Sequence, residues 1–308
     1  MYLNDSATAF YNAYLQDYHK IKAYYLHNML ENQEASENLL LGENCDGGTK
    51  LLFRRTIQAD LRQNYFHSIE TFFELFFALN PLGKKTFDDH KVLNTLATSN
   101  WRKNYSRIEK IANDASALNF LDNEIVFMNY RMTIGHYLFY MGIFAQDKFP
   151  AEVFDEIKDS INAIKYGIQI IAKDFMRREE YNCYKHGLRL MPATNSIKFE
   201  NPTDGSVLRE YDVRESMSYL SYERKTNSLK TVIRVFDSER DFRMTVFCAN
   251  LIRHMIFYRK VAMCKESFPP DEQIKIDFFG RKEIDDDAKV NTPIQTLIFG
   301  EVETSEIP

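Results

Sequence analysis

Between residues 177 and 189 the chain places Arg177, Arg178, Asn182, Lys185, His186 and Arg189 within a few helical turns of one another. At about 100° per residue, Arg178, Asn182, His186 and Arg189 share one helix face. These residue types suit one kind of chemistry. A histidine exchanges a proton near neutral pH, and arginines and lysines hold a phosphate or another oxyanion. An asparagine orients what they bind. Followed backwards, the same face carries Phe154, Ile157, Ile161, Ile164, Ile168, Ile171 and Phe175 at alternating spacings of three and four. The spacing therefore predicts a bundle seam that turns polar and basic at one end, either as a cleft or as a groove between two copies. The alternative is a helix that stops near Met176, where basic residues suit its negative end.

Two further Arg–His pairs have the spacing R-x4-H, Arg62/His67 (RQNYFH) and Arg131/His136 (RMTIGH). Gln63, His67, Glu70 and Glu74 make a polar stripe on an otherwise aromatic helix. Its plain reading is a partly solvated face with i, i+4 support. The sharper reading turns His67 and Glu70 toward the His186 cleft from a neighbouring helix. Arg131/His136 sits among apolar neighbours and is read as structural.

Other chemistries find less support. Glu283 to Asp287 (EIDDD) reads as a solvated acidic loop, since no ligands of defined geometry flank it. Neither a metal nor a cofactor is expected. The common nucleotide-binding, serine-hydrolase and zinc-protease signatures are absent from the sequence. Cys45, Cys183, Cys248 and Cys264 are dispersed, as reduced thiols would be.

The elements that must position these residues are mostly helices. Only 11 Gly and 8 Pro stand against 24 Phe and 18 Tyr in 308 residues. That balance favours long helices packed on aromatic faces, so the expected fold is mainly α: a helical bundle with a small antiparallel β-sheet and a further C-terminal helix. Helices are expected from a cap at Asp5–Ser6 to about Leu30, over about 57–79, 88–115 and 121–146, and from 151 onward. Residues 31–50 carry loop signals. After Met191-Pro192 the pattern alternates, and the segments SIKFE, VLREYDVRE, MSYLSYER and LKTVIRVFD predict a small antiparallel sheet. A helix returns over about 238–266. The expected organisation is a bundle over 1–192, a sheet plus helix over 193–268, and an acidic tail over 269–308.

The formal charge is -5, but it is not spread evenly. The last 40 residues carry 10 acidic and 4 basic groups, and the rest of the chain is close to neutral. The tail suits a protein partner or a cover for the basic face. The most apolar run, Tyr137 to Ala145, is about half of the ~20 residues a bilayer needs, and the N-terminus has no secretory pattern. A cytoplasmic protein without membrane contact is expected.

Within this frame, Tyr181-Asn182-Cys183-Tyr184-Lys185-His186-Gly187 resembles the R-N-x-x-x-H-G end of a HEPN-domain helix. Asn182 and His186 match that pattern, Tyr181 stands at the arginine position, and Arg177 and Arg178 lie within a turn of it. The resemblance implies a HEPN-like bundle, a homodimer and a link to RNA. Its enzymatic form would be metal-independent RNA cleavage in stress response or phage defence. His186 and His67 would then move protons, Asn182 and Arg178 would complete the catalytic set, and Arg177, Lys185, Arg189 and Arg62 would hold substrate. The competing expectation is a non-catalytic dimeric scaffold with the same bundle, which Tyr181 favours.

Overall fold

The computed structural model describes residues 5–81, 89–127, 129–143, 149–187, 189–223, 227–263, 275–292 and 296–303. The chain is mainly α with small antiparallel sheets. It divides into two compact units, each drawn from three separate stretches. Unit 1 comprises residues 1–20, 67–176 and 244–289; unit 2 comprises 21–66, 177–243 and 290–308.

Three helices contribute residues to both units: α2 (Tyr18–Glu31), α4 (Gly47–Leu79) and α10 (Ser238–Met263). Unit 1 adds α1 (Asp5–Ala13), α5 (Asp89–Ala97), α6 (Trp101–Asn113), a 3-10 segment (Ala115–Asp122), the hairpin β1 (Glu124–Phe127) and β2 (Tyr130–Thr133), α7 (Ile134–Phe139), α8 (Ala151–Phe175) and α11 (Arg281–Ala288). Its core is aromatic. Phe72, Phe73 and Phe76 are fully buried, and Phe76 stacks on Phe139 at 6.2 Å between centroids. Full burial of such a ring stabilises by roughly 1.5–3 kcal/mol relative to exposure.

The seam of α8 faces inward as its spacing predicts, with Ile157, Ile161, Ile164, Ile168 and Ile171 buried. Two glycines permit close packing around it. A Cβ on Gly135 would lie 2.7 Å from Ile161 Cγ2, and one on Gly167 would lie 2.3 Å from Phe247 Cζ.

Unit 2 adds α3 (Gln33–Leu41), α9 (Arg178–His186) and strands β3 (Leu190–Pro192), β4 (Ser196–Glu200), β5 (Val207–Asp212), β6 (Ser216–Glu223), β7 (Ser228–Val235) and β8 (Thr296–Glu303). Strands β3, β6, β7 and β8 form one antiparallel sheet in that order, and β4 pairs with β5 alone. Tyr219 on β6 faces Val232 on β7, and together with Cys183 of α9 they form a small buried cluster.

Several expected boundaries change. The first expected helix is two, α1 and α2. The expected loop over 31–50 contains α3, and α4 begins at Gly47. The expected 88–115 helix is interrupted before α6, where Asn100 accepts from the backbone N–H groups of Arg102 and Lys103. The expected 121–146 helix is interrupted by the β1–β2 hairpin, with Asn129 at φ 69°, and only the short α7 within it is α-helical; residues 144–146 lie outside the described residues. Residues 296–303 are not a free tail: β8 pairs with β7 from Arg234 to Ser228. Among the described residues, no helix is long and apolar enough to cross a membrane.

Candidate functional site

The basic face expected to continue the α8 seam belongs to a separate helix. Helix α8 ends at Phe175, and α9 starts at Arg178 after a break at Met176–Arg177. The stopped-helix alternative is thus the observed backbone. The helix α9 lies on β6. Ser221 Oγ donates to Glu179 Oε2 at 2.6 Å, and the Tyr222 N–H donates to Glu179 Oε1 at 3.3 Å. Glu180, Tyr181, Cys183 and Tyr184 are buried. Positions 178, 182, 185 and 186 therefore recur on the side away from that buried face by helical spacing. Gly187 ends the helix in the left-handed region, at φ 66°, with its N–H on the Cys183 carbonyl at 3.0 Å. Only glycine takes that conformation at little cost.

Lys185 on the helix and Arg177 at its N-cap are exposed, while Asn182 and, beyond the helix end, Arg189 are half-buried. The side chains of Arg178 and His186 lie outside the described residues. Tyr181, at the position of the motif arginine, stacks on Phe66 at 5.5 Å between centroids. Lys185 Nζ lies 5.5 Å from the same Tyr181 ring, within the range of a cation–π attraction.

Beneath α9 lies an ion cluster that absorbs one expected substrate contact. Arg62 is 2% exposed. Its Nε donates to Glu180 Oε1 at 3.0 Å and its Nη1 to Asp241 Oδ1 at 2.6 Å. Its guanidinium also lies 4.6 Å from the Phe66 ring centroid. Arg234 Nε stands 3.5 Å from the same Glu180 oxygen, and Arg234 Nη1 donates to Thr296 Oγ1 at 2.9 Å. Burial pushes the Asp241 carboxyl up while Arg62 opposes it; burial, then Arg62, pushes Arg234 down. Burial and then Glu180 push the Tyr184 hydroxyl well up. Taking these charges out of water is costly, and the pairing among them offsets that cost. Arg62, expected to hold substrate, is buried here and links α4 to Glu180 of α9 and Asp241 of α10, all within unit 2.

His67 is exposed and belongs to unit 1, whereas α9 belongs to unit 2. Its ring meets the His19 ring edge-on at 4.9 Å between centroids, and His19 Nε2 is 3.0 Å from Thr71 Oγ1.

Unit 1 holds a cavity beside the Arg131/His136 pair. Its volume is about 440 Å³, and it is lined by His136, Arg131, Thr133, Phe154 and Asn162, among others. Arg131 is exposed and pairs with Glu124 at 3.5 Å. His136 is 8% exposed, and its Nε2 lies 2.6 Å from the Ile143 carbonyl oxygen. The R-x4-H spacing did mark the pair. The buried His136 ring on the Ile143 carbonyl agrees with the structural reading of this pair, and the β1–β2 hairpin contributes Glu124, Arg131, Met132 and Thr133 to the cavity wall.

Protein-family models, curated proteins and solved structures yield no match to this chain.

Proposed function

We propose that the chain is a HEPN-like RNA-binding protein that engages the phosphate backbone through the outer side of α9. The observation that carries this reading is the division of that helix. Its buried residues anchor it to the sheet, while Lys185 on the helix and Arg177 at its N-cap remain exposed and Asn182 is half-buried. Such a surface neutralises phosphates and leaves bases accessible. In the catalytic form of the proposal His186 moves the proton, and cleavage of RNA needs no metal ion.

The test uses a labelled single-stranded RNA in EDTA at low salt. Arg177→Glu/Lys185→Glu is expected to weaken binding by about tenfold or more, with a shallower salt dependence. Both side chains are exposed, so the melting temperature should hold. His186→Ala is expected to abolish any cleavage. Failure of the wild type to bind RNA at low salt would sink the reading.

A second reading, a non-catalytic homodimeric scaffold, draws on two observations. The motif arginine is replaced by Tyr181, which is buried and stacked. Helix α2 also leaves Tyr18, Ile21 and Tyr25 exposed at helical spacing. Sedimentation of wild type and Ile21→Glu/Tyr25→Glu separates the readings: a dimer lost in the variant, without RNA binding by the wild type, favours the scaffold.

A further inference from the structure

The cavity beside His136 has the composition of a binding site for a small neutral molecule. Its wall is apolar where Met132, Phe154, Ile157 and Ile161 contribute. Its charges balance: Asp122 and Glu124 against Arg131 and Lys158. Asp122 is further bound to Lys165 at 2.5 Å, and Glu124 to Arg131. A charged ligand gains little from such a rim, whereas a flat apolar ring gains the burial of its faces.

His136 supplies the directional contact. A carbonyl oxygen only accepts, so the 2.6 Å approach of Nε2 to the Ile143 carbonyl places the proton on Nε2. Burial lowers the pKa of the ring, with the Ile143 carbonyl opposing. The ring is therefore neutral at pH 7, with a lone pair on Nδ1. No donor among the described residues engages that Nδ1. Nor is it among the sealed polar atoms that lack a partner. Nδ1 therefore keeps some accessibility, on a ring that lines the cavity. A buried acceptor gains most from a ligand that donates to it and loses from one that cannot.

We propose that this cavity binds a neutral aromatic molecule bearing a hydroxyl donor, with the ring against Phe154 and Ile161 and the hydroxyl on His136 Nδ1. The site lies wholly in unit 1 and does not depend on RNA binding at α9.

The matched probes are 2-naphthol and 2-methoxynaphthalene, which share the ring and differ in the donor. Calorimetry on the full chain is expected to give 2-naphthol about tenfold tighter binding, the value of one good hydrogen bond. In histidine-labelled wild type, 2-naphthol should move the His136 Nδ1 nitrogen resonance and the methoxy compound should leave it in place. His136→Phe should erase the preference while retaining weak binding of both. Ile161→Trp, which fills the cavity, should abolish both. Equal binding of the probes by the wild type, no binding of either at millimolar concentration, or an unmoved His136 resonance overturns the proposal. The resonance test needs no variant, so a misfolded substitution does not decide the outcome.

Discussion

Arg62 and Asp241, 179 residues apart in the chain, meet at 2.6 Å with both side chains 2% exposed. Replacing Arg62 by Ala leaves Asp241 and Glu180 buried without their shared cation. The expected loss is about 3–5 kcal/mol, read from urea unfolding with the midpoint lowered. Arg62→Lys should recover only part of it, because one ammonium cannot reproduce the two-pronged geometry. A change below about 0.5 kcal/mol for Arg62→Ala would mean that the cluster contributes nothing net.

Acid should weaken the protein through a buried histidine. His254 is 7% exposed, and burial lowers its pKa to about 4, with Asp277 opposing and Arg253 reinforcing. A folded pKa below the unfolded value means that the unfolded chain takes up the proton first. Stability is then full above about pH 6.5 and falls as the pH drops toward 4, by on the order of 3 kcal/mol. His136 shifts in the same direction through its burial. Unfolding free energies at pH 7, 5.5 and 4.5 should show the slope, and His254→Phe should flatten it. An equally steep slope in that variant would assign the effect elsewhere.

Gly167 should tolerate no side chain. Its added Cβ would stand 2.3 Å from Phe247 Cζ, and Phe247 is itself buried. A rigid ring cannot yield as a flexible side-chain end would, so Gly167→Ala is expected to cost about 1–3 kcal/mol despite its better helix propensity. Thermal melts compare it with Gly187→Ala. Nothing crowds Gly187, and there the cost should come from its positive φ alone.

Ending the chain before Thr296 should expose the edge of β7. The backbone amides that β7 shares with β8 are expected to lose exchange protection, and the shortened chain should self-associate. If protection along β7 is unchanged, β8 adds little to the sheet.

The long elements were legible where one periodicity dominates. Ile157 through Phe175 repeats every three or four residues and is buried as that repeat requires. The alternation over 196–237 predicted a small antiparallel sheet; β6 and β7 pair in one, whereas β4 and β5 pair apart from it. Residues 121–146 read as a helix because the apolar run from Tyr137 overshadows Ile125 and Val126, and Asn129, at a positive φ, gives little turn signal by itself. The break after Phe175 had no Gly or Pro to mark it. The fate of Arg62 was illegible in principle. Its spacing to His67 is local, whereas its partners come from positions 180 and 241. No short window of sequence contains them.

The pairing of β7 with β8 also orders events during synthesis. Strands β3, β6 and β7 leave the ribosome together, but their remaining neighbour follows only after α10 and α11. At ordinary translation speeds that interval is on the order of several seconds. Throughout it, the nascent sheet keeps an open edge, and Arg234 waits for Thr296. Newly made chains crowded on one message would be most prone to pair with each other in that window, so translation rate and chaperone supply should govern how much intact protein a cell obtains.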